Sequence, residues 1–127
     1  MSDCANRLGI SAMLVAGLAF VSTGEAFAHA QLVSEVPAAN AVVTSAPASV
    51  TLKFSEAIEP KFTGIVVTGA DKSTVATEPG GLDPTNASTL IVPLKGTLAS
   101  GKYVVQWHAL ARDGHKTSGS FSFTLAP

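Results

Sequence analysis

The chain has 127 residues, with 8 Lys and Arg, 9 Asp and Glu and 3 His, for a net charge of −1. This near-neutral balance speaks against nucleic acid or an anionic membrane surface as a partner, since both require a basic excess. A single cysteine, Cys4, excludes an internal disulfide framework.

In chain order, the first element is an apolar run from Leu8 to Val21, preceded by Arg7. It is too short to cross a bilayer comfortably as a helix. With the small-residue ending Ala26-Phe27-Ala28 it reads as a secretory signal peptide cleaved after Ala28. Residues 1–28 are then a leader and residues 29–127 one exported, periplasmic domain that begins at His29. Removing the leader takes Arg7, Asp3 and Glu25 with it, so seven basic and seven acidic residues remain. Cys4, Met1 and Met13 leave as well, and the exported domain carries no sulfur.

Beyond His29, prolines and glycines punctuate the chain too often for long helices. Between them apolar residues fall at every second position, the period of a strand with one buried face. Val50, Leu52 and Phe54 form one such set. Tyr103, Val105 and Trp107 form another, and Phe121, Phe123 and Leu125 a third. The spacing predicts two more fully buried strands at Phe62 to Thr68 and Thr89 to Leu94. Turns are predicted at Gly69 to Lys72, Pro79 to Asn86, Lys95 to Gly101 and Arg112 to Lys116. About seven short strands in about 100 residues predict an all-β Greek-key sandwich or barrel. The cysteine pair of antibody domains is missing, and Trp107 is expected to fill the middle of the sandwich.

A free His29 offers an amine and an imidazole nitrogen that close a chelate ring on one metal ion, and both give up protons near neutral pH. On its own the histidine is accounted for by the tolerance of signal cleavage on its far side. The stretch Arg112-Asp113-Gly114-His115 adds a second feature, with Asp113 and His115 two positions apart in a predicted hairpin turn. In isolation that motif is an ordinary Asp-Gly turn. Together, His29, Asp113 and His115 supply four nitrogen and oxygen donors in a domain without thiolate or thioether. Such a set favours Cu(II) over Cu(I), with Zn(II) chemically possible. The third histidine, His108, points away from the Trp107 face and is expected at the surface.

These residues carry a resemblance. The stretches HAQLVSEVPAANAVV after the leader, VTLKFSEAIE at 50–59 and YVVQWHALARDGHKTSGSFSF at 103–123 resemble the CopC family of small periplasmic copper-resistance proteins. The resemblance spans nearly all of residues 29–125. It implies a cupredoxin-like or immunoglobulin-like Greek-key β-sandwich that binds Cu(II) through His29, by amine and imidazole, with Asp113 and His115. It places Glu56 beside the copper as an outer hydrogen-bond partner. A CopD-like inner-membrane copper transporter is the implied recipient, as a separate protein, because no membrane segment follows the leader. The methionine-rich loop of the Cu(I)-binding branch is absent from residues 29–127. The chain therefore resembles the branch with a Cu(II) site alone.

Two other function classes compete with a copper carrier. A histidine-brace copper monooxygenase also uses an amino-terminal histidine, but needs an open position for oxygen, which an Asp113 donor would occupy. A metal-free immunoglobulin-like interaction module would leave His29 and the Asp113–His115 turn without a joint role. No serine-hydrolase elbow is present, and Glu78-Pro79-Gly80-Gly81 reads as a turn. The expected protein is a non-enzymatic Cu(II)-binding protein of copper homeostasis.

Overall fold

In the computed structural model the described residues are 30–127, so the leader, its cleavage point and His29 lie outside the described part. Eight strands form: β1 (Leu32–Val36), β2 (Val42–Val43), β3 (Ser49–Phe54), β4 (Gly64–Thr68), β5 (Gly81–Asp83), β6 (Asn86–Pro93), β7 (Gly101–Leu110) and β8 (Lys116–Leu125). A single 3-10 turn, Pro60–Phe62, leads into β4. The strands build two four-stranded sheets, ordered β1-β3-β6-β5 and β2-β8-β7-β4. All pairings are antiparallel except the short β2 alongside β8. The consecutive strands β3 and β4 sit in different sheets and pair with β6 and β7, which are also consecutive and also split between the sheets. This crossing is the Greek-key connection expected from the strand spacing.

The period-2 pattern accounts for the core. Val50, Leu52 and Phe54 of β3 and Leu90 and Val92 of β6 face Tyr103, Val105 and Ala109 of β7 and Phe123 and Leu125 of β8, all buried. Tyr103 and Phe123 stack with ring centroids 5.3 Å apart, and the Tyr103 hydroxyl donates to the carbonyl of Ala99. Burial of aromatic surface of this kind is the main favourable term in a domain of this size.

Three sequence expectations change. The Phe62 to Thr68 segment is not fully buried: β4 is a sheet edge, where only Val67 is sealed, while Phe62 and Val66 are 63% and 45% exposed. Pro79 to Asn86 is not wholly a turn, because Gly81–Asp83 pairs with β6 as a short edge strand that periodicity over three residues cannot reveal. With β5 and the two-residue β2, the count is eight strands where about seven were expected.

Trp107 is the third change, being half-buried and packed against the core cluster without being sealed within it. It meets Phe54 edge-on at 5.5 Å and lies across Gly119, its cross-strand partner. A Cβ on Gly119 would stand 2.7 Å from Trp107 Cζ2. Gly119→Ala therefore forces the indole to shift, and we expect a loss of about 1–3 kcal/mol. The check is a lower urea midpoint with unchanged slope, accompanied by altered Trp fluorescence.

Candidate metal centre

The β7–β8 hairpin turns through Arg112, Asp113 and Gly114. Gly114 N–H donates to the carbonyl of Ala111 at 2.9 Å, and Ala111 N–H donates to the carbonyl of His115, also at 2.9 Å. Gly114 has φ +93°, a left-handed geometry that a glycine adopts at little cost and that closes three-residue hairpin loops. The turn folds Asp113 back onto His115. Oδ1 of Asp113 accepts the His115 backbone N–H at 3.0 Å, and Oδ2 lies 3.0 Å from His115 Nδ1. A carboxylate on one ring nitrogen orients the imidazole and directs Nε2 away from it. The side chains remain accessible, 53% for His115 and 34% for Asp113, so an ion has a path to them.

Two further segments meet this hairpin. Ala30 is fully buried, and its carbonyl accepts the Thr117 hydroxyl at 2.7 Å. The next residue is tied to the end of β3: Gln31 N–H donates to Ser55 Oγ at 2.9 Å, and Ser55 N–H donates to the Gln31 carbonyl at 2.8 Å. The segment after β3 is then laced to the hairpin. Ile58 bridges Ala111, Arg112 N–H donates to the Ala57 carbonyl at 3.1 Å, and Glu59 N–H donates to the Leu110 carbonyl at 2.8 Å. Arg112 and Glu59 also face each other across 3.9 Å. Residues 30–31, 55–59 and 110–117 thus form one end of the sandwich.

Of the sequence-derived site residues, Asp113 and His115 are brought together in direct contact. Glu56 is half-buried between Ser55 and Ala57, on the segment that links the other two. Among the described residues no three His, Cys, Asp or Glu side chains cluster closely enough to hold a metal ion. Asp113 and His115 form a pair, and His29, the residue directly before the anchored Ala30, lies outside the described part. His108 is exposed, as expected, with its ring over Gly64 on the outer face of β7 and β4: a Cβ on Gly64 would be 3.3 Å from its Cε1. Asp71 and Asp83 belong to separate turns. Asp71 is held below the ordinary carboxyl range by the Ser73 hydroxyl and backbone N–H, and Asp83 by the Thr85 backbone N–H and hydroxyl.

Sequence reasoning missed Thr117 and Ser55, which fix the start of the domain beside the hairpin. Their only linear signal is a hydroxyl residue two positions past His115 and another just before Glu56. Thr117→Val keeps the shape and removes the donor to Ala30. We expect a loss of about 1 kcal/mol, read by chemical denaturation as a lower midpoint.

The family model described as the CopC domain matches residues 32–126. Protein YobA of Escherichia coli strain K12 is 43% identical over 103 residues, covering 81% of this chain and 83% of that protein. Copper resistance protein C of Escherichia coli is 34% identical over 129 residues, covering 94% of this chain and 96% of its relative. Among solved structures, the crystal structure of CopC from Methylosinus trichosporium OB3b superposes with a TM-score of 0.72 at 30% identity, over 78% of this chain and 95% of the other.

Proposed function

This chain belongs to the CopC family, and from that premise we propose that it is a copper-binding protein of copper resistance or homeostasis that takes Cu(II) as its cargo in the periplasm and passes it to a membrane partner of the CopD type. In this reading residues 1–28 are the leader, and cleavage makes His29 the first residue. The ligands are the His29 amine and imidazole, Asp113 and His115, and Glu56 is the outer hydrogen-bond partner. One observation supports the reading: Ala30 is buried and its carbonyl accepts the Thr117 hydroxyl, two positions from His115, which anchors the start of the described chain on the strand that follows the hairpin.

Donor chemistry supports the oxidised ion. Residues 29–127 hold neither cysteine nor methionine, and nitrogen with carboxylate oxygen suits Cu(II), the ion at the top of the divalent affinity order. With an Asp113 carboxylate as the fourth donor, little room is left for the open position that a copper monooxygenase needs. Among the described residues no helix is long and apolar enough to cross a membrane.

The experiment is intact-mass measurement of the exported protein followed by Cu(II) titration with electron paramagnetic resonance. The expected result is a mass that begins at His29 and stoichiometric uptake with a nitrogen-rich tetragonal signal. A mass starting elsewhere, or uptake that never saturates, overturns the reading.

A further inference from the structure

The sheet that carries the Asp113–His115 hairpin has a one-sided charge. Strands β2, β4, β7 and β8 and the 3-10 turn before β4 contain Lys61, Lys102, Lys116 and His108 and not one Asp or Glu. Of the acids at the hairpin end, Glu59 faces Arg112 and Asp113 faces His115, while no ion pair joins Glu56 to a described residue. Neither Lys61 nor Lys116 is ion-paired with a described residue. The rest of the chain holds five basic and nine acidic residues, a charge of −4, so this sheet stands out as the basic face.

On the outer face of this sheet lies a depression of about 560 Å³ lined by Lys61, Phe62, His108, Leu110, Lys116 and Thr117, with Ala109 and Ser118 completing it. Phe62 is 63% exposed at its wall, an aromatic side chain left in water where the 3-10 turn lifts it clear of the core. Lys116 directly follows His115 and pairs with Leu110, so the depression opens beside the hairpin. An exposed aromatic residue in a concave site flanked by two ammonium groups with no ion pair among the described residues matches an apolar side chain flanked by carboxylates.

We propose that this depression is the docking groove for an acidic, apolar-anchored segment of the protein that exchanges copper with this one. The identity of that partner as a copper-exchanging protein rests on the proposed function; the groove's preference for acidic segments does not. The groove accepts a leucine or phenylalanine against Phe62 and Leu110, while Lys61 and Lys116 face the acids on either side. Its concave shape favours a protein segment over a lipid surface, on which two lysines supply only about 1 kcal/mol each.

The test uses the copper-free exported protein, labelled with 15N, and a capped peptide of sequence Asp-Glu-Leu-Phe-Glu-Asp. The expected result is saturable shifts confined to the amides of Phe62, His108, Leu110, Lys116 and Thr117, weakened at least tenfold in Phe62→Ala and in the Lys61→Glu, Lys116→Glu double variant, and reduced by salt. Phe62→Ala touches no proposed copper ligand, so its Cu(II) affinity should stay unchanged. The proposal fails if the peptide does not saturate, if its shifts map to another face, if a peptide with Lys replacing each acid binds equally, or if phosphatidylglycerol vesicles capture the protein while the peptide does not. Because the peptide titration is run without copper, its failure leaves the copper reading standing, and a failed copper titration leaves the groove standing.

Discussion

His115→Ala is expected to weaken Cu(II) binding by at least about a hundredfold, the upper end of what removing an outer-shell partner costs, because it deletes a nitrogen donor outright. In the proposed centre the remaining donors are the His29 amine and imidazole and the Asp113 carboxylate. Asp113 would lose the imidazole that its Oδ2 faces at 3.0 Å, so its orientation would relax at the same time. The fold should hardly notice, since the His115 side chain is 53% exposed, and surface changes of this kind usually cost less than about 0.5 kcal/mol. Competitive titration against a chelator of known affinity reads the binding, and electron paramagnetic resonance reads the fall in nitrogen coupling. An unchanged affinity with an unchanged spectrum would remove His115 from the centre. A parallel variant with one glycine placed before His29 moves the amine away from its imidazole and should weaken binding to a similar degree.

Phe54→Ala should produce the largest loss of stability, about 3–5 kcal/mol, the range for emptying a buried aromatic site. Phe54 is 2% exposed, meets Trp107 edge-on at 5.5 Å, and pairs with Leu32 at the start of β1. Small domains have about 5–15 kcal/mol in total, so the variant is expected to be partly unfolded at warm temperatures. Its position gives the change a second consequence. Ser55, the next residue, ties the end of β3 to Gln31, and a cavity under that joint loosens the segment before β1. Urea unfolding checks the first effect: a midpoint shift worth under about 1 kcal/mol would show that the site collapses around the gap. Added Cu(II) should restore part of the loss in Phe54→Ala but not in the double variant with His115→Ala, because a ligand stabilises only the state that binds it.

Much of the fold is legible in linear order. Alternation at Val50, Leu52 and Phe54, at Tyr103 and Val105, and at Phe123 and Leu125 marks faces that are buried in the structure. It does so because each side of a strand meets a different medium, and a period of two is the direct trace of that difference. The same rule fails at β4, where Ile65, Val66 and Val67 form a continuous apolar run in a sheet edge with Val66 outward. A run without alternation does not say which face is covered. Trp107 shows the related limit: its size suggests the centre of the core, while its place is decided by the missing side chain of Gly119 across the strand.

The candidate site divides along the same line. The pairing of Asp113 with His115 follows from local chain geometry, because a glycine between them in a hairpin turn brings residues two apart face to face. That residues 30–31 and 55–59 share an end of the sandwich with the hairpin does not follow from any local rule. Thr117 and Ala30 are far apart in the chain, as are Ser55 and Gln31, and their hydrogen bonds exist only once β1 and β8 are laid at the same end of the two sheets.

By itself the sequence determined the all-β class, the faces of most strands and the local Asp113–His115 pair, since each depends on residues within a turn or strand length of one another. Tertiary structure alone decided which strands became edges, where Trp107 came to rest, and which distant segments share an end with the hairpin. Those outcomes depend on how two sheets stack, a balance of packing among residues far apart in the chain that no short window of sequence contains.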